Sequence, residues 1–150
     1  MKVYKIDQNQ SKYIIERIVQ ETNLLKSLSH CNIVQLYEIF RTQDYVLMVQ
    51  EYLDGGDLMN ILQAKNKFTL EEFLPIFGKI VNGLKYLHNQ GILHRDIKLD
   101  NVFINKRGEV KIGDFGVSIF VDKDQRISEQ IGTPAYIAPE IIGKRGYSGF

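Results

Sequence analysis

One cysteine among 150 residues excludes an internal disulfide, and a lone Cys31 suits a reducing compartment. An excess of charge of one sign is also missing. The 19 Lys and Arg against 18 Asp and Glu leave a formal net charge of +1 and a pI near 7.8. That balance gives no reason to expect a basic nucleic-acid surface or an acidic tail. No apolar run approaches the roughly 20 residues that span a bilayer, and the opening "MKVYKIDQNQ" lacks the apolar core of a signal peptide. The expected location is therefore cytoplasmic or nuclear, with no membrane and no nucleic acid as partner. Internal repeats, low-complexity stretches and Pro/Ser-rich linkers are absent too. His30 and Cys31 lack neighbours at metal-ligand spacing and read as turn and packing residues.

What is present is enough apolar material for a core: 44% of residues are hydrophobic and 25% charged. "MKVYKID" alternates as an edge strand does. From Lys12 to Leu28, Ile14, Ile15, Ile18, Leu24, Leu25 and Leu28 recur at helical spacing. "NIVQLYEIF" and "YVLMVQEY", separated by "RTQD", predict an antiparallel strand pair, and "LDGGD" a turn. Residues 68–91 predict the longest helix. Thr69 and Glu72 fit a capping box, Leu70, Phe73, Leu74, Phe77, Ile80, Val81, Leu84 and Leu87 form its apolar side, Pro75 predicts a bend, and Gly91 an end. "NVFIN", "KRG" and "EVKIGDF" predict a small hairpin.

Between the long helix and the hairpin stands "HRDIKLDN", residues 94–101, with five ionisable side chains in eight positions. A loop held rigidly on both sides suits catalytic residues. Asp96 and Asn101, with Asp114 beyond the hairpin, supply hard oxygen ligands and one candidate base. Such a set suits Mg²⁺ and phosphate chemistry, because Mg²⁺ takes a few protein oxygens and completes its shell with phosphate and water.

"HRDIKLDN", "DFG" at 114–116 and "APE" at 138–140, in this order, resemble the catalytic loop, magnesium loop and activation-segment end of a eukaryotic protein kinase catalytic domain. Lys98 and "GTPAYIAPE" resemble the serine/threonine branch. The resemblance implies an α+β, two-lobed fold, with residues 1–54 as a partial N-lobe and hinge and 55–150 as a partial C-lobe. It implies ATP and Mg²⁺ as cofactors and a protein Ser/Thr hydroxyl as substrate. Asp96 then orients the hydroxyl proton, Lys98 neutralises charge on the transferred group, and Asn101 and Asp114 hold magnesium. His94 and Phe115 become packing residues, and Phe103 lies beneath adenine. Gln50 guards the back of that pocket, the Glu51 and Leu53 backbones bind adenine, and Asp57 reaches ribose or substrate.

"ETNLLKSLSHCNIV" resembles the family's helix and the turn that follows it, with Glu21 as the acidic partner of a phosphate-binding lysine. Two lysines compete for that place: Lys2, 19 positions before Glu21, and Lys5, 16 positions before it. Lys2 is the choice, because the longer spacing leaves room for a strand end, a turn and about two helical turns. Arg95 is expected to pair with an anion on the activation segment. Family spacing puts Glu129 where a phospho-residue usually stands, with Ser128 beside it as a candidate phosphosite. No glycine-rich loop precedes Lys2, and the chain stops soon after "APE". The expectation is a kinase fold truncated at both ends, weak or inactive alone. The alternative is a truncated pseudokinase serving as a binding or regulatory module.

Overall fold

Alternation along the first strand builds the first sheet. In the computed structural model, which describes residues 1–6, 12–122, 124–143 and 146–149, β1 (Lys2–Lys5) half-buries Lys2 and Tyr4 and exposes Val3 and Lys5. Asp7, read into this strand, lies outside the described residues. β1 pairs antiparallel with β3 (Tyr45–Gln50), which pairs antiparallel with β2 (Leu36–Arg41), so the order is β1-β3-β2. α1 (Lys12–Ser27) lies between β1 and β2 in sequence and buries Ile18, Leu24 and Leu25 against the cluster that holds Val46 and Met48. Ile15 stays 39% exposed, and the side chain of Ile14 lies outside the described residues.

The strand read from Asn32 begins only at Leu36, because the residues before it pair elsewhere. The Val34 amide donates to the Ile112 carbonyl at 2.9 Å, the Ile112 amide donates to the Asn32 carbonyl at 2.9 Å, and the Asn32 side-chain amide donates to the Val110 carbonyl at 2.9 Å. These bonds fasten the turn after α1 to the later hairpin.

α2 (Leu58–Lys65) follows the glycine pair and is capped by Asp57, whose carboxylate accepts from the Asn60 amide at 2.8 Å. Gly55 permits this corner: its amide donates to the Ile104 carbonyl at 3.0 Å, and a Cβ there would stand 2.6 Å from that oxygen. α3 (Leu70–Asn89) starts with the full Thr69/Glu72 capping box and runs through Pro75 as one helix. Its buried line is Ile76, Gly83 and Leu87, with Ile80 and Leu84 packed beside it. Leu70, Leu74, Phe77 and Val81 sit on another side and are 45–69% exposed. The residues read as one apolar face thus divide between two, since the helix is apolar around much of its circumference.

After α3 come β4 (Ile92–Leu93), the hairpin β5 (Val102–Ile104) and β6 (Val110–Ile112), and β7 (Ile119–Phe120), which pairs with β4. β8 (Arg126–Ile127) pairs with β9 (Tyr147–Ser148), and α4 (Pro139–Ile142) lies between them in sequence. Ile92, Val102, Val110, Ile112 and Phe115 are each at most 1% exposed. Burial of one such side chain is worth about 1.5–3 kcal/mol, so both ends of the 94–101 loop are firmly anchored. The architecture is α+β, as expected. Among the described residues no helix is long and apolar enough to cross a membrane.

Candidate active site

Lys2 reaches two carboxylates from distant parts of the chain. Its Nζ lies 2.7 Å from Glu21 Oε1 on α1 and 2.8 Å from Asp114 Oδ1 beyond β6. The Tyr4 hydroxyl donates to Glu21 Oε2 at 2.6 Å, so both oxygens of this 3% exposed carboxylate are used. The period of two in β1 explains the choice between the lysines: Lys2 and Tyr4 share the face toward α1, and Lys5 is on the exposed one. Burial alone pulls the Lys2 ammonium down, but the Glu21 charge and the bonds to Asp114 and Glu21 outweigh it and the net shift is upward. Tyr4 is pushed up to about 12 by burial and by its bond to Glu21.

Asp114 and Arg95 both have left-handed backbones, φ 57° and 66°, a conformation that costs a non-glycine residue on the order of 1 kcal/mol and clusters at functional sites. Burial pushes the Asp114 carboxyl up, and the Lys2 bond and charge outweigh this to hold it below its ordinary value.

In the 94–101 loop, His94 is 2% exposed, with its ring 4.9 Å from Phe115 in an edge-on contact. Its Nε2 stands 3.0 Å from the Gly113 carbonyl, and its Nδ1 accepts from the Asp96 amide at 3.3 Å. These partners fit the neutral ring with the proton on Nε2. Asp96 Oδ1 accepts from the Thr133 hydroxyl at 2.6 Å and the Thr133 amide at 3.0 Å. Asp96 Oδ2 lies 3.0 Å from Lys98 Nζ, which also donates to the Thr133 hydroxyl oxygen at 2.8 Å. Burial raises the Asp96 carboxyl, but the Thr133 and Lys98 bonds outweigh it, so the group is held low and ionised. Lys98 is raised by its bond to Asp96. A carboxylate held in this way can orient a hydroxyl and accept its proton.

Asn101, in a single 3₁₀ turn (Leu99–Asn101), donates from Nδ2 to the Asp96 carbonyl at 2.8 Å and to Oδ2 at 3.1 Å. Its side-chain oxygen takes no hydrogen bond among the described residues, although Asn101 is only 4% exposed. A buried acceptor without a donor is the kind of atom a cation satisfies. With the Asp114 carboxylate it fits Mg²⁺, which needs few protein oxygens when phosphates complete its shell.

A cavity of about 490 Å³ joins these groups. Lys2, Asn101 and Asp114 line one part of it, and Val34, Gln50, Glu51, Leu53, Asp57 and Phe103 line the rest. The Leu53 amide and the Glu51 carbonyl have no backbone partner among the described residues, which leaves a donor and an acceptor free on one extended edge. A flat heteroaromatic ring with the complementary pair fits there, beside Phe103 and Val34. A second cavity, of about 390 Å³, holds Lys2, Glu21, Asp96 and Asp114 along its wall.

The Arg95 guanidinium donates from Nε to the Val117 carbonyl at 2.6 Å and from Nη1 to Glu129 Oε2 at 2.6 Å. Gly132, at φ 134°, lets the segment pass close to Arg95: a Cβ there would lie 3.0 Å from the Arg95 carbonyl. Ser128 is exposed beside this contact. Sequence reasoning missed Thr133. Its signal in the sequence is its place as the threonine of "GTPAYIAPE".

Likeness to known proteins agrees with this geometry. The protein kinase domain family matches residues 1–149. CBL-interacting protein kinase 31 of Oryza sativa subsp. japonica is 33% identical over 99% of this chain and 34% of its own length. CBL-interacting serine/threonine-protein kinase 17 of Arabidopsis thaliana is 37% identical over 89% of this chain and 32% of its own length. CBL-interacting protein kinase 1 of Oryza sativa subsp. japonica is 36% identical over 89% of this chain and 30% of its own length. The chain thus spans about a third of the length of the curated relatives it matches. By its motifs, its geometry and the match across nearly all of its residues, the chain belongs to the protein kinase domain family.

Proposed function

We propose that the chain forms the catalytic part of a serine/threonine protein kinase, using ATP and Mg²⁺ to phosphorylate protein hydroxyls. The observation that carries this reading is the Lys2–Asp114 contact at 2.8 Å, which sets a phosphate-binding cation beside a magnesium ligand at the cavity that also holds Asn101. Residues 1–54 act as small lobe and hinge, and 55–150 as part of the large lobe. Bound MgATP supplies the γ-phosphoryl group and the divalent charge that screens it.

The residues of the chain do the rest. Lys2, fixed by Glu21, faces the phosphates. Glu51 and Leu53 hold the base edge through their backbones, above Phe103. Asp96 orients the substrate hydroxyl and accepts its proton, Lys98 offsets negative charge on the transferred group, and Thr133 holds both in register. Asn101 and Asp114 present oxygens to the metal. The serine/threonine reading rests on Lys98 and the "GTPAYIAPE" segment, and the lone Cys31 suits a cytoplasmic or nuclear setting.

The test is transfer of labelled phosphate from ATP to Ser, Thr and Tyr peptides by the full-length gene product. Transfer to Ser or Thr that is lost in Asp96→Asn supports the reading. Nucleotide-independent function in a protein that never transfers phosphate would favour the pseudokinase instead.

A further inference from the structure

Lys111 is a largely covered cation that none of the chemistry above uses. It lies on β6, directly across the hairpin register from Phe103, and its side chain is 12% exposed. Its Nζ sits 2.8 Å from Glu51 Oε1, on a carboxylate that is 17% exposed. The other oxygen, Glu51 Oε2, accepts from the Gln35 amide at 3.2 Å, and the Glu51 amide donates to the Gln35 carbonyl at 2.8 Å. One carboxylate therefore ties together three walls of the 490 Å³ cavity. These are the strand entry beside Val34, the crossing segment Glu51–Leu53, and the hairpin that carries Phe103.

From this geometry we infer that Lys111 and Glu51 form a clamp that positions the adenine end of the nucleotide site. The inference rests on the nucleotide reading proposed above. Both of its charges are largely covered, so removal of either leaves the other unpaired and drives it toward solvent. The Glu51 backbone then loses its fixed distance from Phe103. A flat ring held between a hydrogen-bonding edge and an aromatic floor tolerates little change in that distance, since both contacts act over a few tenths of an ångström. Lys111 touches no nucleotide atom in this account; it is a positioning residue. The phosphate end, anchored by Lys2 and Asp114, is independent of the clamp.

The test separates the two ends. Adenosine and magnesium tripolyphosphate are titrated separately into the full-length protein and into Lys111→Met, Lys111→Arg, Glu51→Gln and the Lys111→Met/Glu51→Gln double variant. Circular dichroism confirms that each is folded. The expected result is an adenosine Kd raised about tenfold in Lys111→Met and Glu51→Gln, the scale of one charge-assisted bond. Lys111→Arg stays within about threefold of wild type, because the guanidinium restores the charge pair. The double variant is no weaker than either single one, and tripolyphosphate affinity is unchanged throughout. A general loosening of the fold would weaken both ligands together and would overturn the inference. So would unchanged adenosine binding in a folded Lys111→Met. If that variant does not fold, Lys111→Gln and Glu51→Gln carry the same comparison. Wild-type protein that binds neither ligand overturns the nucleotide reading itself.

Discussion

Arg95 and Glu129 form an ion pair at 2.6 Å in which the arginine side chain is 5% exposed and the glutamate 62% exposed. The exposed carboxylate is the anion that satisfies a buried guanidinium, so the activation segment is held near Asp96 without any modification. Glu129→Gln keeps the shape and removes the charge. Phosphotransfer is expected to fall about tenfold, the scale of one charge-assisted hydrogen bond, with nucleotide affinity kept within about twofold. Initial rates at saturating ATP read this directly, and an undiminished rate would remove Glu129 from the account.

The two lysines of β1 give opposite expectations. Lys2→Met removes the cation that bridges Glu21 and Asp114, and phosphotransfer is expected to drop by at least about 100-fold, as for loss of an electrostatic stabiliser of the transferring group. Lys5→Met lies on the exposed face and is expected to stay within about twofold, as surface changes do. Equal losses in both variants would mean that β1 acts through strand stability alone.

Thr133 joins the candidate base to the candidate phosphate-neutralising lysine. Thr133→Ala leaves the amide bond to Asp96 and removes the hydroxyl from both partners. A fall of about 10- to 100-fold in kcat is expected, with the KM for ATP little changed, because the residue orients groups and binds no nucleotide. Thr133→Ser is expected to recover most of the rate. A KM effect without a kcat effect would contradict this placement.

His94 gives the fold a pH dependence. Burial holds its pKa below the ordinary 6.5, even though the Gly113 bond and nearby Asp114 and Asp96 act the other way and Lys98 adds to the lowering. A depressed folded pKa means that the unfolded chain binds more protons between that value and 6.5. The His94 contribution is complete above about 6.5 and is lost as pH falls toward the folded pKa. Urea unfolding across this range is expected to show stability declining on the acid side, with a shallower slope in His94→Phe. An identical slope in the variant would assign the effect to other groups.

Most of the site was legible because its chemistry lies in local motifs. Asp96, Lys98, Asn101 and Asp114 stand in short loops between strongly patterned elements, and "HRDIKLDN" and "DFG" mark them without any knowledge of packing. Lys2 was legible only through its spacing to Glu21, and β1's alternation turns Lys2, not Lys5, toward that carboxylate. Thr133 and Lys111 were not legible: each acts on a partner 37 or 60 positions away, and nothing in the neighbouring residues announces that partner. The strand boundary at Leu36 was misread for a related reason. Asn32–Val34 have strand-like composition, but their backbone bonds go to β6, a long-range choice that local propensity does not encode. On α3, periodicity marked the apolar residues but not which of two adjoining faces meets the hairpin, since both satisfy a helical repeat.

The most direct measurement of the central claim is the melting temperature of the full-length protein against MgATP, beside an Asp114→Asn variant. The account predicts stabilisation that rises with MgATP, requires Mg²⁺ and is lost in the variant, because Asp114 with Asn101 presents the metal-binding oxygens. Folded protein that shows no shift, or the same shift in Asp114→Asn or without Mg²⁺, would contradict it.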